Sequence, residues 1–350
     1  MAQPLISLFV LFLIITPFSS LPKPSPTKTP TRKPSTRPAT SVPSYKSSTL
    51  PTFAPTEVPT VIPSTTTPSA EPSSDQPSVP SPTVGSTIIP TSISYEVDIH
   101  YHYPQPIMKG TIHLYNIYLG DFLNKTTFLL DYLAANIGGS PWYNMITSYF
   151  QENQNGTRIY ATNAAEFMLS VGVKYGQPQV NFTDNDVSSL IVNLINSNYL
   201  PMDSDGVYAV LFTDQINYDG WLQTWCGKHG AFYASQGNNT SLLKFLAIGD
   251  PSLAANGWAC QAISDGSATA NNDLAADSIA TMYAHELVET VTDCMFAWYF
   301  DSGSLAGAEN GDACVWDFGD TTNNWNVVFG NKSFLIQRNW VPHYGCRLFL

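Results

Sequence analysis

Basic residues are scarce in this chain of 350 residues, which has 15 Lys and Arg against 27 Asp and Glu and a formal net charge of −12 at pH 7. Residues 21–94 hold six of the basic residues and only three acidic ones, which leaves 9 against 24 for the rest of the chain. A domain this acidic repels phosphate backbones. The composition therefore argues against a nucleic acid as a partner.

Long apolar runs are absent except near the start, where residues 5–15 are apolar apart from Ser7 and are followed by Ser19 and Ser20. This run has the length of a signal-peptide hydrophobic segment and is too short to span a bilayer. We therefore expect residues 1–20 to be a signal peptide. The sequence predicts a secreted protein with no membrane span after signal cleavage.

Cysteine is absent before residue 226, and the first of the five cysteines is Cys226 itself. Their presence fits an oxidising compartment. Sequons support the same prediction, because Asn-X-Ser/Thr triplets permit N-glycosylation in a secreted protein. Six of them begin at Asn124, Asn155, Asn181, Asn238, Asn239 and Asn331. The chain has no P-loop, dinucleotide fingerprint or G-x-S-x-G nucleophile elbow.

Large apolar side chains are few in residues 21–94, where Pro, Ser and Thr dominate. Such a segment cannot bury enough surface to offset its ordering entropy, so we expect a disordered, extended stalk. The composition changes near residue 94, and residues 95–350 should form one globular domain. Strand-like and helix-like segments alternate there, which predicts an α/β or α+β fold.

Periodicity predicts the main elements of that domain. Helices are expected over residues 124–137, 141–150, 183–195 and 273–292, and strands over residues 95–103, 111–119, 207–213 and 244–248. Residues 158–174 read as a pair of strands. Residues 226–230, in which two glycines flank Lys228 and His229, read as a tight turn.

The helix predicted at residues 273–292 carries the most informative pattern. His285 and Glu289 are four residues apart and share one face. The run H-E-L-V-E differs by one residue from H-E-x-x-H, in which two histidines bind zinc and the Glu activates a water. Glu309 follows Glu289 by 20 residues. We therefore predict a divalent-metal site with His285, Glu289 and Glu309 as ligands and Glu286 as general base.

The chemistry of this site has alternatives. A carboxylate in place of an imidazole favours harder cations, so manganese competes with zinc, and it leaves a bound water less acidified. His285 and Glu289 could instead form only a solvated pair on the helix. His229 and Asp312 are candidate accessory groups, although a loop pinned by a disulfide at Cys226 also explains the sequence around His229.

Tryptophans supply a non-enzymatic alternative. Most of them should be buried, because Trp removes a large apolar area from water. Trp225 and Trp325 lie in Gly- and Asn-rich segments and are candidates for stacking on sugars. A carbohydrate-binding module without catalysis is therefore a second hypothesis beside the metallohydrolase.

Several motifs, in order over roughly residues 95–350, resemble the EXORDIUM or phosphate-induced protein family of land plants. They are VYAVLFTD (207–214), CGKHG (226–230), HELVETVTD (285–293), WYFD (298–301), ENGDACVW (309–316) and KSFLIQRNW (332–340). Cys294 departs from the family pattern, which usually has Pro at this position. The N-terminal stalk is not part of that pattern.

The resemblance implies an extracellular or cell-wall protein linked to growth and cell expansion, with a wall polysaccharide or an extracellular protein as partner. It also suggests a zincin-like arrangement, and hence a peptidase as the hydrolase to expect. Order and neighbourhood favour the disulfides Cys226–Cys260 and Cys314–Cys346, with Cys294 left over. The sequence alone leaves other pairings open.

Overall fold

The computed structural model describes residues 97–174, 179–321 and 324–349. The predicted signal peptide (residues 1–20) and stalk (residues 21–94) lie outside the described residues. Those that are described belong to one mixed α/β domain, as the sequence predicted. None of the helices in these ranges is both long and apolar enough to cross a membrane.

The elements follow one another in mixed order. The helices are α1 (Asn124–Ile137), α2 (Asp184–Asn196) and α3 (Leu274–Asp293). The strands are β1 (His100–Tyr101), β2 (Ile112–Leu119), β3 (Phe150–Glu152), β4 (Arg158–Tyr160), β5 (Ala165–Val173), β6 (Gln179–Phe182), β7 (Gly206–Phe212), β8 (Ile216–Tyr218), β9 (Gly227–Gln236), β10 (Asn239–Gly249), β11 (Trp298–Tyr299), β12 (Val327–Phe329), β13 (Lys332–Phe334), β14 (Asn339–Val341) and β15 (Gly345–Arg347). Short 3-10 helices include Tyr143–Ser148, Gly257–Cys260, Gly303–Leu305 and Asp312–Cys314.

A five-stranded sheet in the order β5-β2-β7-β10-β9 forms the centre of the domain. Its first four strands are parallel to their neighbours, and β9 is antiparallel to β10 at one edge. β7 is buried along its whole length, which explains its continuous apolar sequence. The mostly parallel sheet, with helices packed on it, makes the fold α/β.

Two apolar clusters cover the two faces of this sheet. Side chains alternate between the faces along β7: Val207, Ala209 and Leu211 pack in the cluster that contains α1 and α3. Tyr208, Val210 and Phe212 point into the other cluster, which contains α2. The domain therefore has three layers, with α1 and α3 on one side of the sheet and α2 on the other.

Asp273 is the N-cap residue of helix α3. The Asp273 carboxylate accepts a hydrogen bond from the Ala276 amide at 2.9 Å and a second one from the Thr126 hydroxyl of α1. From Ala276 to Asp293 every residue of the helix is buried. The expectation of a solvated His285–Glu289 pair is therefore wrong, since both side chains lie in the interior.

Three local predictions differ from the structure. Within residues 158–174, β4 and β5 do not pair with each other: β4 pairs with β3, and β5 joins the central sheet beside β2. The segment after Pro141 forms the 3-10 helix Tyr143–Ser148 rather than an α-helix. In the first predicted strand, the only described residues that form a strand are His100 and Tyr101, which pair with β11.

The predicted turn at residues 226–230 is also wrong, because Gly227–Gly230 lies in the regular edge strand β9. Its glycines are needed for space and not for a turn. A Cβ on Gly227 would lie 2.8 Å from Glu286 Oε1, and one on Gly230 would lie 2.7 Å from the Phe245 ring. Glycine inside a strand often marks such a close approach.

Two disulfides are present, Cys226–Cys260 and Cys314–Cys346, which are the pairs that order and neighbourhood favoured. Cys294 is a free, buried cysteine at the end of α3. Each disulfide fastens a segment next to the carboxylates of α3. Cys226 immediately precedes β9, and Cys314 ends the 3-10 helix Asp312–Cys314.

Candidate metal centre

Three parts of the chain bring charged side chains together at the middle of α3. The helix supplies His285, Glu286 and Glu289, and the edge strand β9 supplies His229. Glu309 comes from the segment after β11. All five side chains are at most 3% exposed. Ionisable groups this deeply buried need partners, which makes the cluster the candidate functional site.

His229, Glu289 and Glu309 point their ligand atoms at one another. His229 Nε2 lies 3.2 Å from Glu309 Oε2 and 3.7 Å from Glu289 Oε2. One atom from each side chain falls within 4.8 Å of the others. Among the described residues none of these three atoms has a hydrogen-bond partner, although all are buried. Nitrogen and oxygen atoms gathered in this way fit a divalent cation.

The other oxygen of Glu289 is held by protein donors. Glu289 Oε1 accepts the Asp312 amide at 3.0 Å and lies 3.1 Å from His285 Nε2. A Cβ on Gly311 would come within 2.9 Å of both Glu289 Oε1 and His285 Nδ1, so glycine lets this loop approach the helix. The carboxylate of Glu289 is thus fixed on one side, with Oε2 turned toward His229.

The side-chain amide of Gln337 determines which ring nitrogen of His285 accepts a hydrogen bond. Its Nε2 lies 2.9 Å from the Gly311 carbonyl oxygen, and its Oε1 lies 3.4 Å from the Trp316 amide. These two contacts fix the orientation of the Gln337 amide, so the nitrogen is the atom 2.7 Å from His285 Nδ1. With Nδ1 accepting, a proton of His285 lies on Nε2 and points at Glu289. Burial lowers the pKa of His285, but the Glu289 and Asp312 carboxylates raise it well above its ordinary value, so Nε2 keeps that proton. In this state His285 Nε2 is a donor and has no lone pair for a cation.

Burial shifts the pKa values of His229 and Glu309 in this cluster. It lowers the pKa of His229 to about 4, although the Glu289 carboxylate works in the opposite direction. It also raises the pKa of Glu309, and the nearby Asp293 and Glu289 carboxylates add to that rise. A neutral imidazole beside two carboxylates can balance the charge of a divalent cation.

Glu286 lies beside this group and faces a pocket. Its Oε2 is buried and has no hydrogen-bond partner among the described residues. Glu286 lines the pocket together with Gly227 of β9, Met282 of α3 and Trp316. It is therefore the carboxylate of the cluster that a molecule in the pocket would meet.

The chain also matches a known family. The phosphate-induced protein 1 conserved region matches residues 99–327. The chain belongs to this family, as the resemblance indicated. The matched range contains His229, the α3 residues and Glu309, but ends before Gln337. No curated protein and no solved structure matches the chain.

The structure brings most of the predicted site residues together. Besides the first group, one ligand atom from each of His285, Glu286 and Glu289 lies within 4.8 Å of the others. Glu289 and Glu309 converge as the sequence suggested, with Asp312 beside them. His229, which sequence placed only as an accessory group, faces both carboxylates, while His285 faces Glu289 alone among the predicted ligands. Gln337 lies in the motif KSFLIQRNW (332–340), but the motif gave no role for its side chain. The glycines around His229 were the available indication, because they mark a strand pressed against α3.

Neither tryptophan that was predicted to stack on sugars is exposed. Trp225 is 5% exposed, its indole N–H donates to the Asp219 carbonyl, and Lys228 lies over its ring. It therefore has no free face for a sugar, and its proposed role is wrong. Trp325 is half-buried.

Proposed function

We propose that this chain is an extracellular member of the phosphate-induced protein family that binds a divalent cation and hydrolyses peptide bonds. One observation carries the proposal: His229 Nε2, Glu289 Oε2 and Glu309 Oε2 are buried, converge, and lack hydrogen-bond partners among the described residues. Buried polar atoms are nearly always satisfied, and a bound cation would satisfy all three. Glu286 is close enough to act at the same place.

Zinc or manganese fits this set of donors. One imidazole nitrogen and two carboxylate oxygens suit either cation, and the two carboxylates would balance its charge. A cation bound there would supply Lewis-acid polarisation of a carbonyl or a water. Asp312 would hold Glu289 by the hydrogen bond from its amide to Oε1, and His285 Nε2 lies 3.1 Å from the same oxygen.

Glu286 is the group that would accept a proton from the attacking water. Its unpaired Oε2 lies in the pocket wall, and Gly227 leaves the space that the side chain occupies. A positioned carboxylate of this kind typically contributes a factor of about 10² to 10⁴ to a rate. The pocket has space for about one water beside this carboxylate.

Secretion is part of the proposal and has support from several features. The two disulfides suit an oxidising compartment. The asparagines of all six sequons are exposed, so each could accept a glycan. Family membership and the sequence of residues 1–94 support a role in the cell wall during growth. The partner would be a wall polysaccharide or an extracellular protein.

Cation content tests the ligand assignment. The secreted chain, dialysed without chelator, should retain about one equivalent of zinc or manganese, and His229→Ala should lose it. His285→Gln should retain it, because a glutamine amide can still donate to Glu289. Loss of the cation in His285→Gln with retention in His229→Ala would restore the ligand set predicted from the sequence and refute ours.

Turnover tests the role of Glu286. Cleavage of a peptide library, followed by mass spectrometry, should fall by roughly 10² or more in Glu286→Gln while the cation remains bound. Glu166→Gln, on the exposed side of β5, is the matched control and should leave cleavage unchanged. Retained cleavage in Glu286→Gln would show that this carboxylate is not the base. A bound cation without any cleavage would indicate a structural metal centre.

A further inference from the structure

Asn310 directly follows the candidate ligand Glu309, and its side-chain oxygen has no hydrogen-bond partner within the described part of the chain. The residue is only 1% exposed, so this Oδ1 atom does not reach the solvent around the protein. Buried amide oxygens nearly always accept a hydrogen bond or contact a cation, because the loss of water is otherwise costly. Oδ1 therefore needs a partner that is not a protein atom, either a cation or a water.

The hydrogen-bond network fixes which end of the Asn310 amide is the oxygen. Asn310 Nδ2 lies 3.1 Å from Thr292 Oγ1. The Thr292 hydroxyl donates its own proton to the Val288 carbonyl oxygen at 2.9 Å, so Thr292 Oγ1 can only accept from Asn310. The amide nitrogen therefore faces Thr292, and Oδ1 points away from it.

Tyr149 supports the same orientation. Burial raises the pKa of Tyr149, and a hydrogen bond from the Asn310 side chain lowers it, as a donor to the phenol oxygen does. The Tyr149 hydroxyl donates its own proton to the Trp340 carbonyl oxygen. Tyr149 and Thr292 therefore both accept from Nδ2, which has two protons to give, and neither can donate to Oδ1.

The neighbours of the Asn310 amide place it beside the candidate ligands. Thr292 lies three residues after Glu289 on α3, and residues at this spacing are neighbours on a helix surface. The Glu289 carboxylate also adds to the rise in the pKa of Tyr149 that burial causes. On its other side the amide is joined through the chain to Glu309. Oδ1 therefore belongs to the same buried region as Oε2 of Glu289 and Oε2 of Glu309.

We propose that Asn310 Oδ1 is a further protein ligand of the cation, and that this cation is manganese. The inference rests on the proposed function and names the cation that the function uses. One cation would satisfy Oδ1 together with His229 Nε2, Glu289 Oε2 and Glu309 Oε2, whereas one water has only two protons for four acceptors. Three oxygens suit manganese better than zinc, and the imidazole favours it over magnesium and calcium, which take oxygen ligands.

Calorimetric titration of the full chain, treated with EDTA and then dialysed, with manganese and with zinc tests the inference. Asn310→Leu should weaken manganese binding by at least about tenfold and zinc binding by less. Asn310→Asp keeps an oxygen at this position and should still bind manganese. Unchanged manganese affinity in Asn310→Leu would overturn the inference, since a water would then satisfy Oδ1. An equal loss for the two cations would overturn the assignment of manganese.

Further variants separate a ligand from a merely structural asparagine. Thr292→Val removes the acceptor that orients the amide and should also weaken manganese binding, and Thr292→Ser should restore it. Asn116→Leu is the matched control, because Asn116 is equally buried but bonds to Asp131 and Tyr283, so its loss should leave the affinity unchanged.

Urea unfolding in EDTA shows whether each variant folds. If Asn310→Leu does not fold, Asn310→Ser withdraws Oδ1 without adding apolar bulk and should weaken manganese binding in the same way. A structural role alone would lower the stability of these variants in EDTA and leave their manganese affinity as in the wild type, which would refute the ligand assignment.

The two proposals can fail separately. A chain that binds manganese and cleaves peptides through Glu286, with unchanged affinity in Asn310→Leu, would refute the role of Asn310 alone. Manganese binding that depends on Asn310, in a chain that cleaves no peptide, would refute hydrolysis and support this ligand. A chain that binds neither cation would refute both.

Discussion

Single atoms decide the geometry of the candidate metal centre, and glycines leave space for them. Gly227 lies against Glu286, and Gly311 lies against both Glu289 and His285. At these positions even one methyl group would displace a carboxylate or an imidazole. The arrangement explains why C-G-K-H-G and E-N-G-D contain glycine without a left-handed backbone at either position.

Gly227→Ala should therefore lower both the free energy of unfolding and the activity. The added Cβ would lie 2.8 Å from Glu286 Oε1, and overpacking of this kind typically costs about 1 to 3 kcal/mol. Gly172→Ala in β5 is the matched control, because a Cβ there would meet nothing within 4 Å. Urea unfolding measures both variants. Equal stability of the two would show that Glu286 moves aside freely.

The clustered side chains illustrate what sequence can and cannot predict. The convergence of Glu289 and Glu309 was predictable, because one lies on a strongly patterned helix and the other follows at a suggestive distance. His229 was only an accessory candidate, since its approach to α3 depends on the pairing of β9 with β10, which is set by the whole sheet. Gln337 acts through the orientation of its amide, which no spacing rule reveals.

Helices are the elements that sequence predicted best. Helix α1 has the predicted bounds, and α2 and α3 differ by about one residue at their ends. Their periodicity and caps are local, so a short window contains the information. Strand partners are not local. β4 and β5 are neighbours in sequence and join different sheets, β4 beside β3 and β5 beside β2.

The C-terminal end of α3 should make stability depend on pH. Burial raises the pKa of Asp293 to about 8, because its hydrogen bonds to the Trp298 and Ala297 amides only partly offset the loss of water. The folded state then holds a proton that the unfolded chain releases near pH 4. Stability should therefore fall as the pH rises from about 4 to 8, by up to about 1.4 kcal/mol per unit from this group.

Asp293→Asn tests this dependence. The amide oxygen can still accept the Trp298 amide, but the side chain no longer ionises. In EDTA, the variant should gain stability over the wild type between pH 5 and pH 8, as measured by urea unfolding. Asp320→Asn, at an exposed position, controls for the loss of one acidic group. A constant difference between Asp293→Asn and the wild type at all pH values would contradict the assignment.

At the scale of the whole molecule, the disulfides connect the fold to the candidate metal centre. Cys226–Cys260 anchors the start of the strand that carries His229. Cys314–Cys346 anchors the segment that follows Glu309 and Asp312 to the C-terminal hairpin of β14 and β15. The two segments that meet α3 at the cluster are thus both covalently restrained.

Removing either disulfide should therefore affect both stability and cation binding. The bonded cysteines are 34 and 32 residues apart, for which loop closure predicts a loss of about 3 to 4 kcal/mol each. The paired substitutions Cys226→Ala with Cys260→Ala, and Cys314→Ala with Cys346→Ala, should also weaken cation binding. Urea unfolding and metal titration measure these effects. Unchanged cation affinity in both double variants would show that packing alone positions the ligands.

The buried thiol of Cys294 is a natural probe of local opening of the domain. It is the one cysteine outside the two disulfides, it is buried at the end of α3, and burial raises its pKa to about 11. A thiol reagent should react with it only when this part of the domain opens, so the rate of labelling records that motion. Cation binding on the same helix should slow the labelling. Occupancy of the centre could thus be followed by mass spectrometry without any engineered probe.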